Sequence, residues 1–198
     1  LINSPHNPTG KVFSQEELNR IADMLKKYPR VVVVEDNVYE GLTFDDFYQK
    51  ELPKMSFTKD MYDRTLSVYS GGKIFACTGS RIGWVVGPAY LIKPLMSVHQ
   101  YNVFCMYDPV QTAMAESLNA IRENSYMKEY TDKLIRQRGL LIDQLINSRF
   151  DLKMWIPKGG YFIMTDISSV QVKESYMVDD KTKEKRTRDM AFCVQLAK

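Results

Sequence analysis

Four consecutive valines at positions 31–34, uninterrupted by any polar residue, constrain the fold of this chain more than any other feature. A strand with one wet face alternates apolar and polar residues. A run without alternation reads as a strand covered on both faces, which is the habit of parallel sheets. The preceding segment supports that reading. Ser14 and Glu17 make a capping-box pattern, Leu18, Ile21, Ala22 and Leu25 follow at helical spacing, and Pro29 stops the helix. A helix leading directly into a doubly covered strand predicts α/β layering with a largely parallel sheet.

Further β-rich runs lie at 65–69 and 82–86, the second closed by Gly87-Pro88. Between the valine run and the first of these, residues 37–63 read as an irregular connection with one short helix. Helical patterns are expected over 90–99, 109–123 and 125–147. In the last of these, Leu134, Leu141 and Leu145 make an apolar stripe widened by Ile135, Ile142 and Ile146. Residues 152–156 and 161–167 read as two strands joined through Pro157-Lys158-Gly159-Gly160, and 173–188 as a charged surface loop. A boundary near Ser148 divides the chain into 1–147, part of a larger domain, and 148–198, part of a smaller one. Leu1-Ile2-Asn3 reads as the end of a strand under way, and 190–198 as an interrupted helix, so an internal piece of a longer protein is expected.

Charge excludes little: 27 basic against 24 acidic residues leave +3. The basic cluster Lys181, Lys183, Lys185, Arg186 and Arg188 lacks the interleaved aromatics that stack on bases, so no nucleic-acid partner is expected. No apolar run approaches the roughly 20 residues that a membrane helix needs. Cys77, Cys105 and Cys193 make no CxxC pair and the chain has two histidines, so no metal site is expected. Free thiols suit a reducing compartment.

Four short elements carry chemistry. Asn7-Pro8-Thr9-Gly10 follows a strand end and, alone, is a turn. Asp36, with Tyr39 three residues on, sits at the carboxyl end of the valine strand, where ligands of open α/β sheets bind. Alone, it is an Asp that ends a strand. Ser70-Gly71-Gly72-Lys73 follows the next strand, and Thr78-Gly79-Ser80-Arg81-Ile82-Gly83-Trp84 follows that. A lone Lys or Arg there reads as a solvated charge. A P-loop is ruled out by Ser67 and Ile74 at its fixed positions, and the serine acylase S-x-x-K pattern by the lack of its S-D-N and K-T-G partners. His6 is expected to make a structural hydrogen bond, His99 to lie on a helix face, and Tyr161 and Phe162 to be core.

Taken jointly, these elements resemble the fold-type I (class I) aminotransferases in order and approximate spacing. Thr78 through Pro88, His99-Gln100, Gly159-Gly160-Tyr161-Phe162 and Thr165-Asp166-Ile167 look most like the kynurenine aminotransferase and glutamine transaminase K group. The resemblance implies a three-layer α/β/α domain with a mostly parallel sheet, plus part of an α+β small domain. It implies pyridoxal 5'-phosphate (PLP) as cofactor, an amino acid and a 2-oxo acid as substrates, and a homodimer, in the cytoplasm or a mitochondrion. The resemblance makes Lys73 the Schiff-base lysine that also shuttles the substrate proton. It assigns Asp36 to the ring nitrogen, Tyr39 and Asn7 to the ring hydroxyl, Asn7 also to the substrate carboxylate, and Ser70 and Arg81 to the phosphate. Asn37 and Ser80 depart from the residues frequent in the family. Its N-terminal phosphate loop, ring-stacking aromatic and carboxylate-gripping Arg have no match here, so the chain alone is expected to be inactive. Two other readings are a carbon–sulfur β-lyase on the same scaffold and a non-catalytic fragment that only binds a partner.

Overall fold

The computed structural model describes residues 1–48, 50–179 and 181–197; Lys198, the expected end of the last helix, lies outside them. Four strands form the main sheet in the order β1 (Ile2–Asn3), β2 (Val33–Asp36), β3 (Thr65–Ser70) and β4 (Gly83–Val86). The first three run parallel, with Asn3 opposite Asp36 and Asp36 opposite Val68. β4 is antiparallel to β3, pairing Ser70 with Gly83 and Ser67 with Val86. The class is therefore α/β, with a mixed and mostly parallel sheet.

Helix α1 (Gln15–Leu25) begins as the sequence predicts. Ser14 Oγ accepts from the Glu17 amide and the Glu17 carboxylate accepts from the Ser14 amide, so two otherwise unpaired amides are satisfied. Leu18 and Ala22 on its inner face meet Val33, Met55 and Met61 in a closed core flanked by Ile2, Phe13, Ile21 and Leu25. The crossover β1–α1–β2 thus fixes two adjacent parallel strands by burying one stripe of one helix.

The valine run departs from expectation. Val31 and Val32 lie outside the strand and remain 44% and 41% exposed. Their segment is held instead by Arg64, whose guanidinium donates to the carbonyls of Leu25, Tyr28 and Val31. A side chain thus supplies the partners that a neighbouring strand would have given. Within β2, Val33 and Glu35 are buried while Val34 and Asp36 are half-buried, so one face is closed and the other partly open.

The connection at 37–63 holds no α-helix among its described residues but has single 3-10 turns at Asp45–Phe47 and Met55–Phe57. After β3 comes the one-turn helix α2 (Gly71–Ile74), then β4, α3 (Ala89–Val103), α4 (Asp108–Ala120) and α5 (Tyr126–Ile146). β5 (Lys153–Trp155) and β6 (Met164–Asp166) form a separate antiparallel pair, and α6 (Arg188–Ala197) ends the described chain. Near the end of the chain Val178 is bridged to Lys185. No described helix is long and apolar enough to cross a membrane.

The second expected strand of the small pair is shorter than its apolar run because 157–160 pair elsewhere. The Lys158 amide donates to Gly10 O (2.9 Å), the Phe44 amide to Lys158 O (2.9 Å) and the Gly160 amide to Leu42 O (2.8 Å). Glycine is required at Gly10, where φ is +67° and a Cβ would lie 2.2 Å from Pro157 Cβ. Residues 157–160 are thereby laid against the loops that follow β1 and β2.

Candidate active site

Parallel strands present their carboxyl ends at one edge of a sheet, and each chemical element of this chain emerges there. Asn7 follows β1, Asp36 ends β2, Ser70 ends β3 and Lys73 follows it. Because β4 runs the opposite way, its start lies at the same edge, which brings Arg81 there too.

The loop after β1 is tightly self-bonded. The Asn7 amide donates to Asn3 Oδ1 (2.7 Å), the Gly10 amide to His6 O (2.8 Å), and His6 Nδ1 shares a hydrogen bond with Thr9 Oγ1 (2.8 Å), the structural role expected of His6. This leaves the Asn7 amide group free to donate from Nδ2 to the Tyr39 hydroxyl, 3.1 Å away. Tyr39 is 4% exposed. Burial is the main cause that pushes its phenol up to about 12, and the neighbouring Tyr161 phenol and the Asp36 carboxylate add to the effect. Tyr39 therefore stays a neutral donor across the physiological range. The Asp36 carboxylate accepts from the Val38 amide (3.3 Å).

Lys73 lies on α2, which starts immediately after β3. The Gly71 amide donates to Ile82 O (3.1 Å) and the Cys77 amide to Gly72 O (3.0 Å), so the chain between Lys73 and Arg81 is pulled into a tight loop. A Cβ on Gly72 would sit 3.0 Å from Thr78 Cα, so the loop closes tightly against this glycine. The loop and the start of β4 enclose a polar cavity of about 210 Å³ lined by Ser70, Gly72, Lys73, Thr78, Arg81, Ile82 and Gly83. Two cations, two hydroxyls and glycine backbone form a donor set suited to a phosphate group.

The structure brings Asn7, Tyr39 and Lys73 together, and Ser70, Lys73 and Arg81 around one cavity. Asp36 stands on the adjacent strand, level with Val68 and two residues short of Ser70. Its carboxyl is bonded to the Val38 amide, and it acts electrostatically on Tyr39. Among the described residues no group of three or more His, Cys, Asp and Glu is placed to hold a metal.

Two neighbours of the site were not anticipated. Thr78 lies inside the recognised motif but had no assigned role. Tyr161, expected in the core, is instead 41% exposed and packs edge-on against Tyr39, with ring centroids 5.3 Å apart and an interplanar angle of 84°. Its Gly159-Gly160 prefix marks a turn but says nothing about where that turn docks.

Docking of 157–160 is secured from α5. Arg138, 14% exposed in its side chain, makes a bidentate pair with Asp45 (2.6 and 2.8 Å), donates to Pro157 O (2.7 Å) and lies over the Phe44 ring. The Arg138 guanidinium holds the Asp45 carboxyl below the usual carboxylate range. A carboxyl whose folded value is depressed contributes its full stabilisation above its unfolded value, near pH 4, and loses it as pH falls through the lower folded value. The expected result is that protection of the Lys158 and Gly160 amides from hydrogen exchange, corrected for intrinsic rates, is flat at neutral pH and falls only below about pH 4. In Asp45→Asn the same amides lose protection already at pH 7. Protection that declines between pH 8 and 5 in the parent would rule this pair out as the latch.

Comparison with known proteins gives a consistent set of relatives. The family model described as aminotransferase class I and II matches residues 1–197. The kynurenine–oxoglutarate transaminase of Dictyostelium discoideum is 38% identical over 174 residues, covering 87% of this chain and 39% of that protein. Human kynurenine–oxoglutarate transaminase 1 is 36% identical, covering 87% of this chain and 41% of its own. Among solved structures, the N-succinyldiaminopimelate aminotransferase of Mycobacterium tuberculosis superposes with a TM-score of 0.78 at 33% identity, over 98% of this chain and 45% of that one. The chain thus spans about two fifths of the length of the curated relatives it matches.

Proposed function

The chain belongs to the class I and II aminotransferase family, and from that premise we propose that it is part of a PLP-dependent aminotransferase. The reaction is transfer of an amino group from an aromatic, sulfur-containing, glutamine or kynurenine-like amino acid to a 2-oxo acid. The intact protein acts as a homodimer. The observation that carries this reading is the placement of one lysine, Lys73, between the Tyr39 ring and a cavity lined by hydroxyls and Arg81.

The donor set fits PLP. Arg81, Ser70 and Thr78 offer charge and hydroxyls to its phosphate, and Asp36 offers a carboxylate to its ring nitrogen. Asn7 and Tyr39, already bonded to each other, offer donors to its ring hydroxyl. Bound there, the cofactor supplies an electron-withdrawing ring conjugated to the reacting carbon. The chain supplies position and proton movement. The Lys73 amine would be the group that holds the cofactor, and its Nζ would take and return the proton of the substrate α-carbon. The Asn7 side chain orients the substrate carboxylate.

The test is to incubate the protein with PLP, reduce with borohydride and map the modified peptide by mass spectrometry. Phosphopyridoxyl label concentrated on Lys73 at stoichiometric PLP is expected. Label spread evenly over exposed lysines such as Lys27 and Lys50 would refute the assignment. With label at Lys73, addition of phenylalanine to the unreduced full-length protein should release its 2-oxo acid, whereas release of pyruvate and a thiol from a cysteine conjugate would point to the lyase reaction.

A further inference from the structure

The first half of α5 touches both arms of the site, and neither contact has a part in the aminotransferase reading. Thr131 of that helix is 3% exposed. A threonine inside a helix commonly turns its hydroxyl back to a carbonyl of the preceding turn. Here Thr131 Oγ1 donates instead to Gly41 O (3.1 Å), 90 residues earlier. Gly41 belongs to the turn that carries Tyr39, in which the Leu42 amide donates to Tyr39 O (3.0 Å). Its φ is +82° and a Cβ on it would lie 2.8 Å from Met127 Cε, so the turn rests directly on α5.

Five residues before Thr131, Tyr126 reaches the other arm. Its hydroxyl donates to Ile74 O (3.3 Å), one residue beyond Lys73, and its ring stacks on Phe75 with centroids 5.8 Å apart and 27° between planes. Burial raises the Tyr126 phenol above its ordinary range, so it stays a donor at neutral pH. Tyr130, 5.8 Å from Tyr126 between ring centroids, walls a cavity of about 300 Å³ that Lys73 also lines. Helix α2 has only four residues, and a single turn fixes too many dihedrals per hydrogen bond to be stable by itself. Its direction is therefore set from outside.

We propose that Thr131 and Tyr126 are positioning residues, through which α5 ties the turn bearing Tyr39 and the turn bearing Lys73 to one rigid helix and so sets the spacing between them. The proposal rests on Lys73 and Tyr39 serving one reaction, as in the reading above. Lys73 Nζ stands 5.9 Å from the centroid of the Tyr39 ring, and no direct bond between the two arms is needed to hold that spacing if both are pinned to α5. Valine in place of Thr131 fills the same space without the donor. Phenylalanine in place of Tyr126 keeps the stack on Phe75 without the hydroxyl. Each tie can thus be cut with little change of volume.

The experiment takes the full-length protein and measures hydrogen exchange without cofactor, then steady-state amino-group transfer with PLP. Thr131→Val should lower protection of the Leu42 amide about tenfold and leave that of the Phe75 amide, bonded to Gly71 O, within about twofold. Tyr126→Phe should do the reverse. Each variant should lower kcat about tenfold with KM nearly unchanged, since a misplacement of about 1 Å in a site can cost about 10²-fold. Thr131→Ser restores the hydroxyl and should recover both readouts. A role in general stability alone would lower protection evenly, at the Asn37 amide bonded to Val68 O as well, and leave kcat of the folded protein as it was. Even loss of protection, or kcat within about twofold of the parent in both variants, overturns the proposal. The two readings fail separately. PLP fixed on Lys73 together with even loss of protection sinks the positioning role alone. Local loss of protection in a protein that takes no PLP on Lys73 sinks the aminotransferase reading alone.

Discussion

Lys73→Ala is expected to abolish borohydride-fixed PLP at the site and to lower amino-group transfer by the intact enzyme by at least roughly 10²–10⁴-fold, the range attributed to one positioned acid–base group. The loss is chemical rather than structural. Lys73 is half-buried, and the contacts that place its amine are the ring faces of Tyr39 and Tyr161, neither of which needs the lysine in order to pack. Lys73→Arg separates charge from chemistry. It keeps a cation beside Ser70 and Arg81 but offers no free-base amine, since a guanidinium does not deprotonate in proteins. Its activity should match that of the alanine variant, while phosphate-bearing ligands are retained better. Transfer within tenfold of the parent in either variant would remove Lys73 from the mechanism.

The second large effect is on stability and falls one residue before the site. Glu35 is 2% exposed, and its carboxyl accepts from the Met55 amide, Ser56 Oγ (3.0 Å) and Ser67 Oγ (2.9 Å). One side chain thus joins β2 to β3 and to the turn Met55–Phe57, whose Met55 belongs to the core under α1. Hydrogen bonds to a charged group contribute about 1.5–3 kcal/mol each, and an unpaired buried donor costs about 1–3 kcal/mol. Glu35→Ala is therefore expected to lower the unfolding free energy by about 3–5 kcal/mol, because it removes one acceptor shared by three donors and leaves them unpaired. Urea denaturation provides the measurement. Glu35→Gln, which keeps a carbonyl acceptor and the volume, should lose less than half as much. A loss below about 0.5 kcal/mol for the alanine variant, typical of an exposed position, would contradict this account. Because Asp36 follows Glu35 directly, slack here also loosens the register that sets Asp36 beside Val68.

Much of the site was legible before any coordinates, because its residues lie in short elements whose meaning is local. The capping box of Ser14 and Glu17, the turn chemistry of residues 7–10 and the glycines ahead of Lys73 all act over a few residues, and each forms as the spacing predicts. Asn7, Tyr39, Lys73, Ser70 and Arg81 were named through the family resemblance that these elements carry jointly, and the structure gathers them at one sheet edge. The valine run was read less well. Periodicity sees apolar side chains but not that Arg64, more than 30 residues away, binds the Val31 carbonyl, so that the strand starts only at Val33.

By itself, then, the sequence pointed to the α/β class and the parallel β1–α1–β2 unit through helix and strand periods, and to its candidate site residues through the family resemblance of four short elements. Tertiary structure alone decided that β4 runs antiparallel, which turns Arg81 toward Lys73, and that residues 157–162 come back to place Tyr161 against Tyr39. Strand direction and segment docking are settled by contacts such as Gly10 with Pro157 and Asp45 with Arg138. Those partners lie about 90 to 150 residues apart, and their attraction exists only once the sheet has formed to hold them within reach.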